Sequence, residues 1–230
     1  MSAKRELVLI AHRAGNETSL LRSAEAAGAD VIEADVWFND GALEVRHLKT
    51  MGPIPVLWDR WALRPGWTPR RQLDQLLAEA AASTRFMFDL KGTDPLLPEV
   101  LAEQMAAIAP ERPYWVCSRG WDLLEPFQRR PGVQVVHSIG SERQLRDVWA
   151  RLTWHTQHAI SIHRKLLTSA AVAALKEKAS VVVTWPVNSQ ADFELVRGLG
   201  VDGITSDSIE LIGTLAEERA RQWTTHPATG

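Results

Sequence analysis

The sequence predicts a single (β/α)₈ barrel, the TIM-barrel fold class, with a short hairpin and loop insertion after the second strand. Short apolar runs of strand type alternate with helical patterns along the chain, which is typical of a parallel sheet covered by helices. About eight such strand–helix units fit into 230 residues, which favours a closed barrel over an open sheet. No glycine-rich dinucleotide-binding loop follows the first strand, and its absence weakens the open-sheet alternative.

Each element has a local signal. Apolar runs of four to eight residues predict strands at Leu7–Ile10, Val31–Phe38, Phe86–Leu90, Tyr114–Ser118, Val133–Ile139, Ala159–His163, Val181–Val187 and Gly203–Ser206. Between them, helical patterns cover Ser19–Ala27, Leu73–Ala82, Pro95–Ile108, Leu123–Arg130, Glu142–Leu152, Ser169–Lys178, Ala191–Leu199 and Ile209–Gln222. The Asn-Asp-Gly turn at 39–41 predicts a hairpin whose return strand is Ala42–His47.

The chain is expected to form one domain over residues 1–230, with a reduced insertion at 48–72 and a frayed tail at 224–230. A hydrophobic content of 45% with 23% charged residues describes an ordinary globular protein. The formal net charge of −2 gives no general attraction to nucleic acid or to an anionic membrane. We therefore expect no nucleic-acid partner, and local cations must hold any anionic ligand.

The sequence also indicates where the protein works. The single cysteine, Cys117, excludes an intramolecular disulfide and fits a reducing compartment. The first apolar run is too short for a signal peptide, and no apolar stretch approaches the roughly 20 residues of a membrane helix. The expected location is the cytoplasm, with no integral membrane segment.

Charged groups collect where predicted strands end. Glu33 and Asp35 are two apart on one strand, so their side chains point to the same face. Asp89 ends another strand, and the active sites of such barrels lie at these strand ends. Three hard oxygen ligands suit one divalent cation, Mg²⁺ or Ca²⁺, better than zinc. The alternative is that these acids form structural ion pairs.

Two histidines and two fixed cations flank these acids. His12 and His47 suit general acid and base roles, because imidazole titrates near neutral pH. Arg13 and Lys91 are candidate contacts to phosphoryl oxygens, and Lys91 is equally a candidate salt-bridge partner for Asp89. The pattern therefore predicts a metal-assisted acid/base site for a phosphate ester.

Further polar residues fall near the same end of the barrel. Candidates for the pocket rim are Glu17, His163 and Trp185. A structural role competes in each case, such as capping of the first helix near Glu17 or filling of the barrel top by Trp185. His137 is a further rim candidate of lower priority, for which a structural role is favoured. Ser118 and Asp207 are expected to be strand-end hydrogen-bond residues, and Cys117 is interpreted as an apolar strand residue.

Taken together, these motifs resemble the glycerophosphodiester phosphodiesterase family of TIM barrels. The family's H-R opening matches His12 and Arg13, and its G-A-D-x-I-E-x-D-V strand matches residues 28–36. A D-G hairpin, a histidine after the return strand and late W-x-V-N and G-V-D-G-I-x-T-D segments follow at residues 40–41, 47, 185–188 and 200–207. The resemblance implies that His12 and His47 are the acid/base pair, that Glu33, Asp35 and Asp89 bind the metal, and that Arg13 and Lys91 contact the phosphate.

The chain departs from the family at several positions. Ala14 replaces the usual glycine, the P-E-N-T loop shortens to residues 16–18, and Leu48 follows His47 where the family has Asp. Asp89 stands where most of the family has Glu. An Asp at this position resembles the related sphingomyelinase D branch. These changes leave the catalytic groups in place and open the question of the substrate.

Three functions follow from this resemblance. The first is hydrolysis of glycerophosphodiesters to glycerol 3-phosphate and an alcohol. The second is a phospholipase D-like activity on lysophospholipids or sphingolipids, through water or through a cyclic phosphate. The third is a barrel that binds a phosphorylated ligand without turnover. A tryptophan- and arginine-rich segment at 58–71, with Trp58, Trp61 and Trp67, is a hypothetical lip for a lipid or alcohol group.

Overall fold

The computed structural model describes residues 7–51, 54–59, 62–65, 68–152 and 158–225. The strands in this part of the chain are β1 (Val8–Ala11), β2 (Val31–Asn39), β3 (Ala42–Val45), β4 (Lys49–Met51), β5 (Ile54–Asp59), β6 (Ala62–Pro65), β7 (Arg71–Gln72), β8 (Phe86–Leu90), β9 (Tyr114–Ser118), β10 (Val133–Ile139), β11 (His158–His163), β12 (Ala179–Trp185) and β13 (Gly203–Ser206). The α-helices are α1 (Thr18–Ala26), α2 (Leu73–Glu79), α3 (Leu97–Ile108), α4 (Glu142–Asp147), α5 (Ser169–Lys176), α6 (Gln190–Gly198) and α7 (Ile209–Thr225).

Eight parallel strands close into a barrel. Their order is β1, β2, β8, β9, β10, β11, β12 and β13, and β13 pairs again with β1. Helices connect successive strands and pack their apolar sides on the outside of the sheet, where most of the buried core lies. The predicted single (β/α)₈ barrel is confirmed.

A second, smaller core fills the barrel itself. It takes one inward-facing residue from each of seven strands, namely Ile10, Val31, Met87, Cys117, Val136, Ala159 and Val183. Cys117 is buried in this layer, in line with its interpretation as an apolar strand residue. Because side chains alternate along a strand, the next inward-facing position of each strand lies one layer higher, at the mouth of the barrel.

The insertion after the second strand is more ordered than the sequence indicates. β3 returns antiparallel to β2, and β4, β5 and β6 form a separate antiparallel sheet. The sequence gives no clear strand pattern here because Ile54–Asp59 lacks the alternation of a strand with one buried face. Trp61 and Trp67, two residues of the hypothetical lip, lie outside the described residues, whereas Trp58 is described and exposed.

Several element ends also differ from the predictions. The return strand stops at Val45, so His47 lies in a loop. The helix expected at Leu123–Arg130 is a 3₁₀-helix at Trp121–Phe127, which contains Pro126 and so cannot complete an α-helical bond ladder. Helix α7 extends to Thr225, and residues 226–230 of the expected tail lie outside the described residues.

One arginine ties the first and last parts of the barrel together. Arg219 of α7 donates hydrogen bonds to the carbonyl oxygen of Leu7, at 2.7 Å, and to both carboxylate oxygens of Asp30, at 2.6 and 3.0 Å. Asp30 in turn accepts from the backbone N–H of Leu9 at 2.8 Å. This clasp fixes the seam where β1 meets β2 and β13. Within the described chain, no helix combines the length and apolar character needed to cross a membrane.

Candidate active site

The mouth of the barrel is lined by residues one step above the inner core layer. Each of these residues follows the core residue of its strand by two positions. They are His12, Glu33, Asp89, Arg119, Ser138, Ser161 and Trp185. They surround a cavity of about 530 Å³, a volume in the usual range for small-molecule sites. The alternation of the strands therefore brings groups that are far apart in sequence to one opening.

Three carboxylates form the acidic part of this opening. Glu33 and Asp35 point inward from β2, and Asp89 of β8 lies directly beside Asp35 in the parallel register. One oxygen from each lies within 4.8 Å of the others. Glu33 and Asp35 are almost fully buried. A buried cluster of three acids requires positive charge close by.

Asp35 has protein partners for its charge. The Lys91 ammonium lies 2.8 Å from its Oδ1 and also contacts Asp89. The side-chain amide of Asn16 donates to Oδ2 at 2.7 Å, and its carbonyl oxygen accepts from the Asp35 backbone N–H. Burial acts to raise the pKa of Asp35, but a hydrogen bond from His47 and the Lys91 charge overcome it and hold the pKa well below its usual range.

The other two acids are less well compensated. Burial, reinforced by the Asp35 charge, raises the pKa of Glu33 to about 7. Burial also raises the pKa of Asp89, because Lys91 offsets only part of it. Three oxygen donors lie close enough together to hold one metal ion, and they carry more negative charge than Lys91 neutralises.

His12 is oriented by the carboxylate of Asp207, the residue that follows the last strand, β13. Its Nδ1 lies 2.7 Å from Oδ1 of Asp207, and its Nε2 lies 4.0 Å from Oε2 of Glu33. Asn188 fixes Asp207 by donating to Oδ2 at 3.0 Å and by accepting from its backbone N–H at 2.9 Å. Burial alone lowers the pKa of His12, but the Glu33 charge and the Asp207 hydrogen bond outweigh it and raise the pKa.

His47 contacts a different carboxylate from His12, with its Nδ1 3.3 Å from Oδ2 of Asp35. The loop that carries it is held by its neighbour, Arg46. The Arg46 carbonyl oxygen accepts from Trp37 Nε1 at 2.9 Å, and its guanidinium contacts both Glu44 and the carbonyl oxygen of Leu48. The side chains of Trp37 and Arg46 thus fix the backbone before and after His47.

Arg13 begins a tightly folded first loop. Its φ of 56° lies in the left-handed region, which is uncommon for a residue with a side chain. The Arg13 backbone N–H donates to Glu33 Oε2 at 2.5 Å, which stabilises this conformation. Gly15 then packs so closely on β2 that an added Cβ would lie 2.6 Å from the Ala34 Cβ. This loop conformation places the Arg13 side chain beside the carboxylates, and Arg13 Nε lies 3.9 Å from Asp35 Oδ2.

The three rim candidates occupy different places. Trp185 lines the cavity. The His163 ring packs edge-on against the Trp185 ring, with ring centroids 4.7 Å apart. The Nδ1 of His163 accepts a hydrogen bond from the backbone N–H of Lys165. Glu17 is exposed at the start of α1 and makes no side-chain cap. Neither Glu17 nor His163 is among the described residues that line the cavity.

His137 faces away from the mouth. It is buried between β10 and the outer layer, edge-on to Trp121 at 5.8 Å and to His158 at 5.1 Å. Burial, with a smaller effect from the His158 charge, lowers the pKa of His137 to about 4. His137 is therefore a neutral core residue at physiological pH.

This burial predicts an acid-sensitive stability. Between pH 6.5 and about 4, His137 is protonated in the unfolded chain but stays neutral in the folded chain. The free energy of unfolding therefore falls as the pH falls through this range. In His137→Phe the free energy of unfolding is expected to fall by about 3 kcal/mol less than in the parent protein between neutral and acid pH. This is the free energy that corresponds to the lowered pKa of His137. Urea unfolding of both proteins at pH 7.5 and 4.5 measures the difference. Equal losses in the two proteins would contradict the assignment.

Several functional contacts were missed from the sequence. Arg46 acts through Glu44 and the backbone of Leu48, and no local pattern marks it. Asn188 lies in the W-x-V-N segment, but the sequence assigns it no partner, and the structure shows that partner to be Asp207. The sequence does carry a signal for Arg119, because it follows Cys117 by two residues, directly after the end of β9. Asp207 was expected to be a strand-end hydrogen-bond residue, and the structure shows its partner to be His12.

Known proteins share this architecture. No protein-family model and no curated protein matches the chain. Among solved structures, a glycerophosphodiester phosphodiesterase from Parabacteroides distasonis is similar, with 22% identity and a TM-score of 0.70 over 95% of this chain and 100% of that one. One from Thermotoga maritima has 16% identity and a TM-score of 0.69 over 93% and 100%.

A phosphodiesterase from Oleispira antarctica, solved in complex with the product sn-glycerol-3-phosphate, has 15% identity and a TM-score of 0.72 over 91% of this chain and 96% of that one. Identities at this level report on architecture. Over more than nine-tenths of its length, this chain therefore has the barrel fold found in glycerophosphodiester phosphodiesterases.

Proposed function

We propose that the protein is a divalent-metal-dependent phosphoric diester hydrolase that cleaves glycerophosphodiesters to glycerol 3-phosphate and an alcohol. The observation that carries this proposal is the cluster of Glu33, Asp35 and Asp89, with oxygens within 4.8 Å, between His12 and His47. Acids that can hold a cation, flanked by two imidazoles, are what metal-assisted cleavage of a phosphate ester requires.

The three carboxylates would hold one Mg²⁺ or Ca²⁺ ion. When bound, such an ion supplies Lewis-acid stabilisation of negative charge on the phosphoryl oxygens. Arg13 and Lys91 border the same cavity and would contact the non-bridging oxygens of the diester. The charge of Lys91 is secure, because Asp89 and Asp35 raise its pKa far above the ordinary value although burial acts to lower it.

His12 and His47 would divide the proton transfers. One imidazole takes the proton of the attacking hydroxyl, from water or from a substrate hydroxyl next to the phosphate. The other imidazole protonates the leaving alkoxide, so the P–O bond breaks without releasing a strong base. With water as the nucleophile, the products are a phosphate monoester and an alcohol. Asp207 orients His12 as an acid/base residue, by the hydrogen bond to its Nδ1.

The relatives in fold support the same substrate class. Glycerophosphodiester phosphodiesterases recur among the similar structures, and the Oleispira antarctica phosphodiesterase was solved with its product sn-glycerol-3-phosphate. The cavity at the barrel mouth, of about 530 Å³, has the volume of a typical small-molecule site, which is compatible with a glycerophosphodiester substrate.

A second candidate is phospholipase D-like cleavage of lysophospholipids or sphingolipids. The observation that favours it is Trp58, which lies on the small antiparallel sheet formed by β4, β5 and β6. The Trp58 residue is exposed, with 39% of its surface accessible to solvent. An aromatic side chain on an insertion beside the mouth suits an acyl chain. A lysophospholipid with a kcat/KM above that of every glycerophosphodiester would favour this candidate.

The test is a substrate panel with controlled metal. After EDTA treatment, the protein is assayed with glycerophosphocholine, glycerophosphoethanolamine and lysophosphatidylcholine, with and without Mg²⁺ or Ca²⁺. Release of glycerol 3-phosphate that depends on the added cation is the expected result, and ³¹P NMR identifies any cyclic phosphate. Asp89→Asn is expected to lower kcat/KM at least about 1,000-fold, whereas Asp122→Asn, at an exposed carboxylate, leaves it unchanged.

Two outcomes contradict the proposal. Full activity in EDTA, or in Asp89→Asn, would reject the metal-assisted mechanism. Metal binding by calorimetry without turnover of any substrate would instead favour a barrel that binds a phosphorylated ligand.

A further inference from the structure

The cavity at the barrel mouth has two chemically different sides. The side formed by β1, β2 and β8 holds the acids and their flanking histidines and cations. The other side, from β9 round to β13, offers mainly hydroxyl and aromatic groups from Ser118, Ser138, Ser161, Trp185 and Thr205. Among the described residues lining that side, Arg119 is the one with a formal charge.

Arg119 follows β9 and, by the register of the strands, lies two residues further along the strand direction than Asp89 of the neighbouring strand β8. Asp89 and Cys117 are register partners on neighbouring strands, and Arg119 is the next inward-facing residue after Cys117. Two residues along a strand correspond to roughly 6–7 Å. A diester whose phosphate lies at Asp89 would therefore extend its far end toward Arg119.

The guanidinium has a built seat across the mouth. A Cβ on Gly140, after β10, would lie 2.1 Å from Nη2 of Arg119 and 2.6 Å from its Cζ. The space that holds the guanidinium therefore exists because residue 140 has no side chain. Further round the barrel, Cζ lies 6.0 Å from the ring centroid of Trp185, at the limit of a cation–π contact.

Gln144 fixes the backbone around this seat. Its side-chain amide donates to the carbonyl oxygen of Arg119 at 3.0 Å, and its Oε1 accepts from the backbone N–H of Gly140 at 2.9 Å. One side chain of α4 thereby holds the ends of β9 and β10 at a constant separation. Gln144 thus fixes the backbone of Arg119, and the exposed side chain lies beside Gly140 and faces the ring of Trp185.

No carboxylate in the described ranges of the chain pairs with the Arg119 guanidinium. The nearby Arg164, in contrast, is paired with Asp192 at 2.6 Å. The positive surroundings are also felt by His163, whose pKa is lowered by burial first and then by the charges of Lys165, Arg164 and Arg119. Arg119 is therefore a seated cation whose charge remains available to a ligand.

We propose that Arg119 is a specificity-determining residue that binds a second anionic group of the substrate, a carboxylate or a phosphate on the part of the diester beyond the scissile phosphate. A guanidinium matches either anion with two parallel hydrogen bonds. This inference rests on the proposed function, because it assumes that the diester phosphate occupies the acidic side of the cavity.

The same arrangement disfavours cationic alcohols. A quaternary ammonium binds well to an open aromatic face, and Trp185 is the aromatic side chain on this side of the described cavity. Here the Arg119 guanidinium lies over that ring, so a choline group would meet a positive charge in its place. We therefore expect choline diesters to be poorer substrates than anionic ones.

Matched substrates test the proposal and distinguish its two sources of anion. Glycerophosphoserine differs from glycerophosphoethanolamine by one carboxylate. The second pair is glycerophosphoglycerol and glycerophosphoglycerol phosphate, which carries one additional phosphate group on its terminal hydroxyl. The protein with bound Mg²⁺ or Ca²⁺ is expected to prefer the anionic member of at least one pair by about 10- to 100-fold in kcat/KM, the usual value of a charged hydrogen-bonded pair.

Two variants remove the anion contact in different ways. Arg119→Gln deletes the charge, and Gly140→Ala keeps the charge but fills the seat of the guanidinium. Both are expected to reduce the preference to about twofold or less while glycerophosphoethanolamine turnover stays within about threefold. The matched control is Arg143→Gln, which removes the same charge from an exposed side chain of α4 and should leave the preference unchanged.

The outcomes separate this proposal from the proposed function. Turnover of all four diesters without an anionic preference, or equal losses in both members of a pair with Arg119→Gln, would overturn the role of Arg119. If no diester is cleaved, the proposed hydrolysis fails, and calorimetry with the same four compounds decides the role of Arg119. Tighter binding of the anionic member that disappears in Gly140→Ala supports the anion site, and equal binding overturns it.

Discussion

His12→Ala is expected to lower kcat/KM for glycerophosphodiester hydrolysis by about 10²–10⁴-fold, the range for loss of a general acid or base. The physical reason is the geometry at the mouth, where His12 lies between Asp207 at 2.7 Å and Glu33 at 4.0 Å. Its imidazole borders the cavity in an orientation set by the last strand. Steady-state kinetics at saturating metal measures the effect.

A matched control is His137→Gln, which removes a buried imidazole on the outer side of the barrel. Its activity per folded molecule should be unchanged. Asp207→Asn should retain more activity than His12→Ala, because the imidazole remains. Since Asp207 helps to raise the pKa of His12, this variant should also shift the His12 limb of the pH–rate profile to lower pH. An unshifted limb would contradict the role of Asp207 in positioning His12.

Glu33→Gln is expected to increase stability in EDTA and to abolish metal-dependent activity. Buried Glu33 has a pKa of about 7, so its protonation is favoured by folding. Between pH 4.5 and 7 the unfolded chain releases a proton that the folded chain keeps, and stability therefore falls as the pH rises through this window. At pH 8 the amide should raise the free energy of unfolding by about 3 kcal/mol, or roughly 5–10 °C in Tm.

The same variant should lose the stabilisation that Mg²⁺ or Ca²⁺ gives to the parent protein, because ligand binding to the folded state raises its Tm. Glu44→Gln is the matched control. Glu44 is also buried, but it pairs with Arg46 and Arg70, each at 2.6 Å. Removal of one partner of a buried pair should lower Tm with and without metal. A lower Tm for Glu33→Gln in EDTA would contradict the account of the acidic cluster.

The barrel and the acidic cluster were predictable because both depend on short-range periodicity. Alternation along β2 places Glu33 and Asp35 on one face, and the parallel order of strands places Asp89 beside Asp35. The same reasoning, extended by two residues from Cys117, locates Arg119 at the mouth. These features need only the strand period and the closure of the sheet.

Other parts of the site depend on contacts that sequence patterns do not encode. The left-handed conformation of Arg13 arises from its hydrogen bond to Glu33, 20 residues away. The position of His47 depends on the packing of Arg46 against Trp37, and that packing follows from the loop's path. The antiparallel sheet of β4, β5 and β6 lacks a regular alternation because it contributes little to the main core.

The hydrogen bond between His12 and Asp207 crosses the seam where the first barrel strand meets the last. These residues are 195 positions apart, and the Arg219–Asp30 clasp at the other end of the same seam joins residues 189 apart. Contacts of such long range close very long loops, and closure of this kind is costly in chain entropy and slow. A folding intermediate with an open seam would contain the acidic cluster but no oriented imidazole. Catalytic competence should therefore appear with the final closure of the ring, and not with the earlier collapse of the core.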